Sequence, residues 1–418
     1  MTVRVTTLNN GMRVATDRID TVESATVGVW CDVGTRDEHP RVNGVAHLLE
    51  HMLFKGTRRR SAKAIAEEIE AVGGHMNAYT AREQTAYYAR VLKGDVALAV
   101  DMIADILQHS LFDGEELKRE RTVILQEIGQ ARDTPDDIVF DHFQSAAFPG
   151  QGVGRPVLGQ ASVVRGMKRD LVRGFLGRHY APGRLLLSAA GNVDHDRLVQ
   201  LAVEKFDSLP QAAVHKRPAA RYKGGEKREK RKLDQVHLVL GFEGVGHHDA
   251  DFYPIQVMST VLGGGMSSRL FQEVREKRGL VYSVYSFASS MRDGGLFGIY
   301  AGTGADKVRE LMPVVADELN KLAGAALEAE VARARAQLKA GTLMSLESTS
   351  SRCEQLAQQL LVFGRPIPVD EIVAKIEAVD ASAVSRILRR VIASKPTLAA
   401  VGPLGKLETR ARFGARLN

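Results

Sequence analysis

The stretch ATVGVWCDVG, residues 25–34, alternates apolar and polar positions as a half-buried strand does, and a helical pattern follows it at about 43–54. The stretch VHLVLGFEGVG, residues 236–246, alternates in the same way and leads into a second helical pattern at 251–263. The two strand-helix pairs lie about 210 positions apart, which is half of the 418 residues. Because each half is long enough to be a domain, this spacing predicts a duplicated unit.

Strand and helix signals occur in groups in each half. The segments HMNAYTA (75–81) and TAYYARV (85–91) adjoin across a short connection, which favours antiparallel pairing. We therefore expect an α+β fold: two duplicated α/β-layered domains, each an antiparallel-rich sheet with packed helices. The predicted domains cover 1–212 and 234–418, with a linker at 213–233. Further helices are predicted at about 61–73, 95–109, 113–131, 135–147, 307–323, 328–347 and 349–362.

The basic charge of the chain is concentrated at its centre. Residues 216–232 carry a net charge of +7, which equals the formal charge of the whole chain, so the remainder is balanced. A run of this kind is usually exposed and solvated, which favours a linker. An arm that binds nucleic acid is the alternative; it predicts binding with a steep salt dependence that disappears when these charges are removed. We expect no nucleic-acid partner.

The composition is that of a globular protein, with 44% hydrophobic and 26% charged residues. Cys31 and Cys353 are far apart in sequence and belong to no C-x-x-C pair, which favours a reducing compartment. No apolar run is long enough for a signal peptide or a membrane span. These features predict a cytoplasmic protein with no membrane partner, or else the mature form of a mitochondrial matrix protein.

The apolar segment AHLLEHMLFKGT, residues 46–57, contains three polar side chains on one helical face: His47, Glu50 and His51. A carboxylate buried beside imidazoles needs a partner, and a divalent metal is such a partner. Two histidines one turn apart supply half of a zinc site, and the glutamate between them is placed to act on a water. The alternatives are core histidines satisfied by hydrogen bonds, or a site that has lost its metal.

A catalytic zinc site needs a third protein ligand and one open position. The predicted helix at 113–131 contains four glutamates, of which Glu120 and Glu127 lie along the apolar stripe that should face the core. Glu115 and Glu116 fall in the first turn, where carboxylates are favoured by the helix dipole. Spacing alone does not choose between Glu120 and Glu127.

The motif H-x-x-E-H, with a glutamate 76 residues after the second histidine, resembles the M16 metallopeptidases, or inverzincins. The segments GVAHLLEHMLFKGT, GGHMNAYTAREQTAYYA and ERTVILQEI are similar to the catalytic half of the smaller family members, closest to the mitochondrial processing peptidase β-subunit and its bacterial homologues. The resemblance implies that Glu127 is the third ligand of one zinc ion per chain. It also implies that Glu120 supports the zinc ligands without binding the metal itself.

The second half contains RLFQEVREKRGLVYSVYS, residues 269–286, which is similar to the second half of the same family. There the resemblance implies that Arg275 and Tyr282 reach the substrate at the metal, the two halves facing each other around a chamber. The alternative for Tyr282 is a strand tyrosine packed in the core. The second half lacks H-x-x-E-H, so we expect one active site per chain.

The resemblance thus implies a zinc-dependent endopeptidase, a hydrolase in which Glu50 is the general base for a zinc-activated water. Its substrates would be extended oligopeptides or presequence-like segments. The peptide would add as a strand beside Asn77 and Ala78, although an internal strand is the alternative for 75–81. The family also implies a homodimer. The competing function is a non-catalytic scaffold subunit of the same fold.

Overall fold

The computed structural model describes residues 2–206, 209 and 217–417, which form two compact units. Unit 1 consists of Met1–Gly129, Arg155–Pro218 and Met344–Pro366. Unit 2 consists of Gln130–Gly154, Ala219–Leu343 and Ile367–Asn418. The predicted domain boundary at 212 and the first linker residues, 213–216, lie outside the described residues.

Each unit contains one mainly antiparallel sheet. The first sheet has the order β1-β2-β6-β3-β5-β4 and the second β7-β11-β8-β10-β9. The strands are β1 (Thr2–Thr7), β2 (Arg13–Arg18), β3 (Ser24–Cys31), β4 (His75–Thr80), β5 (Thr85–Leu92), β6 (Leu185–Gly191), β7 (Gly225–Lys230), β8 (Gln235–Glu243), β9 (Val281–Met291), β10 (Gly294–Gly304) and β11 (Thr397–Gly402).

The two sheets share one plan. In the first, β2 and β6 are parallel, and the pairs β6–β3, β3–β5 and β5–β4 are antiparallel. In the second, β7 and β11 are parallel, and β11–β8, β8–β10 and β10–β9 are antiparallel. Strand β1 is the extra strand of unit 1. The same five-strand order and directions in both units confirm the predicted fold class of duplicated α/β layers.

Helices cover both sheets. They are α1 (Val45–Leu53), α2 (Ala62–Ala71), α3 (Val96–His109), α4 (Gly114–Asp133), α5 (Pro135–Ala147), α6 (Ala161–Val164), α7 (Arg169–His179), α8 (His195–Lys205), α9 (Phe252–Gly263), α10 (Val308–Gly324), α11 (Glu328–Ser345), α12 (Thr349–Phe363), α13 (Val369–Glu377), α14 (Ala381–Ile392) and α15 (Arg410–Gly414). A π-helical segment covers Phe271–Glu276. No helix of the described residues is long and apolar enough to cross a membrane.

One helix of each unit comes from the other half of the sequence. Helix α12, encoded late in the chain, packs on β2, β3 and β6 of the first sheet, where Cys353 and Leu356 lie against Trp30 and Leu186. Helix α5, encoded early, packs on β7, β8 and β11 of the second sheet through a cluster that includes Phe143. The compact units are therefore not continuous stretches of sequence.

The central basic segment is only partly a free linker. Residues 225–230 form β7, which pairs in parallel with β11 at the edge of the second sheet. The side chain of Arg217 is largely buried in unit 1, where it forms ion pairs with Asp32 and Asp37 at 2.8 Å. The sequence GEKREK has no apolar alternation because most of its side chains are exposed, and charged side chains are tolerated on an edge strand.

Candidate metal centre

Helix α1 places the three polar side chains of the H-x-x-E-H motif at the border of the first core. Its other face is fully buried and apolar, with Leu48, Leu49, Met52 and Leu53 completely inaccessible to solvent. His47 is buried, whereas Glu50 and His51 are half-buried. The 3.6-residue period therefore separates a packing face from a chemical face, as the sequence predicts.

His47, His51 and Glu127 form the group that could hold a metal ion in the described part of the chain, with one ligand atom of each within 4.8 Å of the others. Nε2 of His47 lies 3.8 Å from Oε2 of Glu127, and Nε2 of His51 lies 3.8 Å from Oε1. A tetrahedral zinc ion with bonds of about 2.1 Å separates its ligand atoms by about 3.4 Å. Both nitrogen–oxygen distances are therefore close to the separation that a bound zinc ion requires.

Two buried atoms of this group lack a hydrogen-bond partner among the described residues: Nδ1 of His47 and Oε2 of Glu127. An orphaned carboxylate oxygen facing an imidazole is costly unless a cation satisfies it. Burial, together with the nearby His51, lowers the pKa of His47 to about 4. His47 is therefore neutral at pH 7, which is the form that binds metals. These observations fit a divalent ion with nitrogen and oxygen ligands.

Glu120 contacts His51 but is not one of the three residues that could bind the metal. Its side chain is buried, and Oε2 is 2.9 Å from Nδ1 of His51, while Lys55 Nζ lies 2.8 Å from Oε1. A carboxylate on the far nitrogen of a histidine ligand fixes the ring and its tautomer. The structure thus distinguishes the two glutamates that spacing left open: Glu127 faces both imidazoles, and Glu120 contacts the back of one.

Glu50 is held by a strand rather than by its own helix. Oγ1 of Thr80, the last residue of β4, donates a hydrogen bond to Oε2 of Glu50 at 2.5 Å. This is the only hydrogen bond of the Glu50 side chain within the described residues. Burial raises the pKa of Glu50, and the Thr80 hydroxyl opposes that shift. A carboxylate with a raised pKa and one open oxygen is suited to proton transfer.

The start of α1 is fixed by a carboxylate from the preceding loop. Gly44, the N-cap residue with φ of 98°, has no side chain to cap the helix. Buried Glu38 replaces it: its oxygens accept hydrogen bonds from the backbone N–H of Gly44 at 2.9 Å, from that of Ala46 at 2.8 Å and from the Asn43 amide at 2.7 Å. A carboxylate at this end of a helix satisfies the free N–H groups and the helix dipole. Burial raises the pKa of Glu38 to about 7.

The segment that carries Asn77 and Ala78 is an edge strand, so the alternative of an internal strand is excluded. Strand β4 pairs with β5 on one side and ends the first sheet on the other. The Ala78 N–H donates to Oδ1 of Asn77 at 2.8 Å, within the strand itself. Within the described residues, the backbone of β4 thus has one unpaired edge, beside the helix that carries Glu50.

Arg275 and Tyr282 lie in unit 2. Arg275 belongs to the π-helical segment, and its guanidinium lies 4.7 Å from the centre of the Phe271 ring. Tyr282 lies near the start of β9 and is 76% exposed. The alternative of a tyrosine packed in the core is therefore wrong. Short π-helical segments are rare and frequent at functional sites.

Three contacts of the site were not predicted from the sequence: those of Thr80, Glu38 and Lys55. A signal existed for Thr80, because it lies two positions after Ala78 in an alternating strand and so shares its face. Lys55 lies one turn beyond His51 and was within reach of the same face. Glu38 gave no signal, because its role depends on a loop that folds back onto the helix.

Comparison with known proteins places this geometry in a family. The sequence profile of insulinase (peptidase family M16) matches residues 13–161, and that of the peptidase M16 inactive domain matches 166–338. An uncharacterized zinc protease of Streptomyces coelicolor is 44% identical over 413 residues, 96% of this chain and 90% of that protein. A probable mitochondrial-processing peptidase subunit beta of Arabidopsis thaliana is 40% identical over 430 residues, 99% of this chain and 81% of that protein.

A solved structure shares the fold over almost the whole length. The protein described as peptidase M16 inactive domain from Pseudomonas fluorescens superposes with a TM-score of 0.90 at 20% identity, covering 98% of this chain and 100% of that one. At that identity the likeness shows the fold alone. The sequence relatives match 96% and 99% of this chain, so the similarity extends over both halves. The chain therefore belongs to the M16 peptidase family.

Proposed function

We propose that this protein is a zinc-dependent endopeptidase that hydrolyses extended peptides, with one zinc ion per chain held by His47, His51 and Glu127. The observation that carries the proposal is the convergence of these three side chains, with two orphaned buried atoms among them. The relatives named zinc proteases support the choice of metal. Neutral imidazoles with one carboxylate are a ligand set that zinc enzymes use.

Zinc, when bound here, would polarise a peptide carbonyl and make a water acidic enough to react near neutral pH. Glu50 supplies the proton transfers. Its open oxygen takes a proton from the attacking water and delivers that proton to the nitrogen of the leaving amine. Burial raises the pKa of Glu50, which makes the carboxylate a stronger base than an exposed glutamate and so favours the first of these steps.

Substrate binding is proposed for the free edge of β4. An extended peptide can add to such an edge through backbone hydrogen bonds, which accept many sequences. The N–H of Ala78, now bonded to the side chain of Asn77, becomes available to a substrate carbonyl when that amide turns away. Extended oligopeptides or presequence-like segments fit this mode, whereas a folded protein would first have to unfold locally.

Arg275 and Tyr282 are proposed to contact the substrate, as the family resemblance implies. The exposure of Tyr282 supports a role outside the core. A phenol that donates to the carbonyl oxygen, where negative charge develops, would stabilise the transition state. We expect Arg275→Ala and Tyr282→Phe to lower turnover of a peptide while zinc content stays unchanged. Loss of zinc in either variant would contradict the assignment.

The decisive experiment combines Glu50→Gln with metal analysis. We expect this variant to contain about one zinc per chain and to lose cleavage of an unstructured fluorogenic peptide that the unmodified protein hydrolyses. The control is Glu115→Gln, the same chemical change at an exposed residue of α4 that pairs with Lys118, and it should leave both properties intact. A Glu50→Gln variant that cleaves normally would refute the mechanism.

A scaffold subunit without activity is the second candidate, and it predicts a folded protein that neither retains zinc nor cleaves any peptide. The complete set of His47, Glu50, His51 and Glu127 favours the enzyme. We also propose a location in the bacterial cytoplasm, supported by the bacterial relatives and by two buried free thiols. A homodimer is proposed on the family resemblance alone. Light scattering on the purified chain tests the dimer, which a monomer at working concentration would contradict.

A further inference from the structure

The last two residues of β4 form side-chain hydrogen bonds on opposite faces of the sheet. On one face, Tyr79 donates its hydroxyl proton to Glu354 at 2.9 Å and accepts hydrogen bonds from Gln84 at 2.9 Å and Trp30 at 3.3 Å. On the other face, Thr80 reaches Glu50. Its backbone is paired with Thr85 next to a tight turn. Thr80 is thus a fixed point of the structure.

Glu50, in contrast, is a long side chain that would otherwise sample several rotamers. It has a single hydrogen bond within the described residues, to Thr80, and that bond uses Oε2. A hydroxyl that donates to one carboxylate oxygen selects one rotamer and leaves Oε1 to face the reacting water. Because proton transfer requires a donor-acceptor distance of about 3 Å, a freely rotating carboxylate would spend less time in reach.

We propose that Thr80 is a positioning residue for the general base, and that the strand which binds the peptide thereby also sets the geometry of Glu50. The inference rests on the proposed function. Alternation along β4 puts Thr80 on the same face as Ala78, two residues earlier, so the peptide-binding edge and the base share one rigid strand. Thr80 touches neither the metal ligands nor the peptide bond; it acts through Glu50.

The test is Thr80→Val, which removes the hydroxyl but keeps the shape and strand preference of the residue. We expect kcat to fall about 10- to 100-fold, with KM and zinc affinity unchanged within about twofold. Thr80→Ser should restore most of kcat, because it restores the donor. A crystal structure of the metal-free Thr80→Val protein should show the Glu50 carboxylate displaced or in several rotamers.

The matched control is Thr85→Val on the paired strand. Thr85 lies opposite Thr80, but its hydroxyl donates to the backbone carbonyl of Val33 at 2.9 Å. Removing it should lower the melting temperature and leave kcat unchanged. If Thr85→Val lowers kcat as much as Thr80→Val does, the hydroxyl of Thr80 has only a structural role and the proposal is overturned.

A double-mutant cycle separates this inference from the proposed function. In the Glu50→Gln background, Thr80→Val should cause no further loss, since there is no carboxylate left to position. An equal, additive loss in both backgrounds would overturn the inference, as would full kcat in Thr80→Val alone. Normal activity of Glu50→Gln would instead refute the proposed function itself, and with it any positioning role.

Discussion

Helices α1 and α9 follow equivalent strands of the two sheets, yet their side chains differ in kind. Helix α9 buries apolar and small residues almost throughout, including Ile255, Met258 and Leu262. Helix α1 carries two imidazoles and a carboxylate at the border of its core. Glu50 is hydrogen-bonded by Thr80, and the two imidazoles belong to the candidate metal site with Glu127. The polar side chains of α1 therefore require polar partners from other elements, whereas the side chains of α9 require only apolar burial.

The two helices also begin differently. The carboxylate of Glu38 accepts backbone N–H groups at the start of α1. The carboxylate of Asp251, at the N-cap of α9, instead pairs with Arg386 at 2.7 Å and Arg390 at 2.9 Å. One carboxylate therefore fixes the helix backbone that carries the metal ligands, and the other fixes a contact between two helices. Substitutions of residues that contact α1, each paired with a control in unit 2, can separate these roles.

The largest effect is expected from Glu127→Gln, which replaces the anionic ligand by a neutral amide of the same shape. Zinc affinity and peptide cleavage should both fall more than about 100-fold. Ser259→Ala, which removes a buried polar group from α9, should change neither. Inductively coupled plasma analysis and a zinc competition assay give the measurement. A Glu127→Gln protein that keeps its zinc would contradict the assignment of Glu127 as a metal ligand.

Glu38→Ala should lower the free energy of unfolding by about 3 kcal/mol, because it leaves three donors without a buried acceptor. Zinc affinity should fall with it, since the helix that carries His47 and His51 loses its cap. Asp251→Ala should also destabilise the protein but leave zinc affinity unchanged. Urea unfolding and zinc titration measure the two quantities. Equal loss of zinc in both variants would mean that α1 has no special dependence on its cap.

Glu120→Gln should weaken zinc binding about 10- to 100-fold, because the amide no longer fixes the His51 ring as an ionised acceptor does. Unit 2 contains a comparable pair, in which His142 Nε2 lies 2.6 Å from Oε2 of Glu229. Glu229→Gln is therefore the matched control and should leave zinc affinity unchanged. If Glu120→Gln binds zinc normally, the contact behind His51 is only structural.

The smallest expected effect is a pH dependence of stability. The pKa of Glu38, raised by burial to about 7, lies above its usual value of 4.5. The folded state therefore binds this proton more tightly than the unfolded state does. The stability that proton binding contributes is lost as the pH rises through 7. Between pH 6 and pH 8 the free energy of unfolding of the unmodified protein should fall by about 1 kcal/mol more than that of Glu38→Gln. Urea unfolding at the two pH values measures this difference.

Asp251→Asn provides the contrast to that pH measurement. The hydrogen bond from Arg386, against the opposing effect of burial, lowers the pKa of Asp251. Its contribution to stability is present above the ordinary carboxyl pKa and is lost only as the pH falls below it. The stability difference between this variant and the unmodified protein should thus be flat between about pH 6 and pH 8. A slope there would show that another group titrates.

Sequence patterns predicted the elements that bury one face and expose the other. Helix α1 was expected at about 43–54 and covers 45–53, and α5 was expected at 135–147, where it lies. The strands β6 and β11 gave no such signal, because both are buried along their whole length and show no alternation. Strand β7 was missed for the opposite reason, since its side chains are mostly exposed.

Only those site residues that sequence spacing or the family resemblance connects could be predicted. Helical periodicity brought His47, Glu50 and His51 onto one face, and the family resemblance selected Glu127. The contacts of Thr80 and Glu38 join segments whose approach depends on how the sheet and the loop fold. No local pattern encodes such an approach. Likewise, the exchange of α5 and α12 between units could not be predicted from their correctly predicted boundaries.

That exchange has a consequence for synthesis on the ribosome. When the first half of the chain has been translated, one face of its sheet, with Trp30 and Leu186, still lacks the helix that covers it. That helix, α12, ends only at Phe363, in the second half of the sequence. The nascent protein therefore exposes an apolar surface, which can aggregate, until α12 has emerged from the ribosome. Expressing either half by itself would make that transient state permanent.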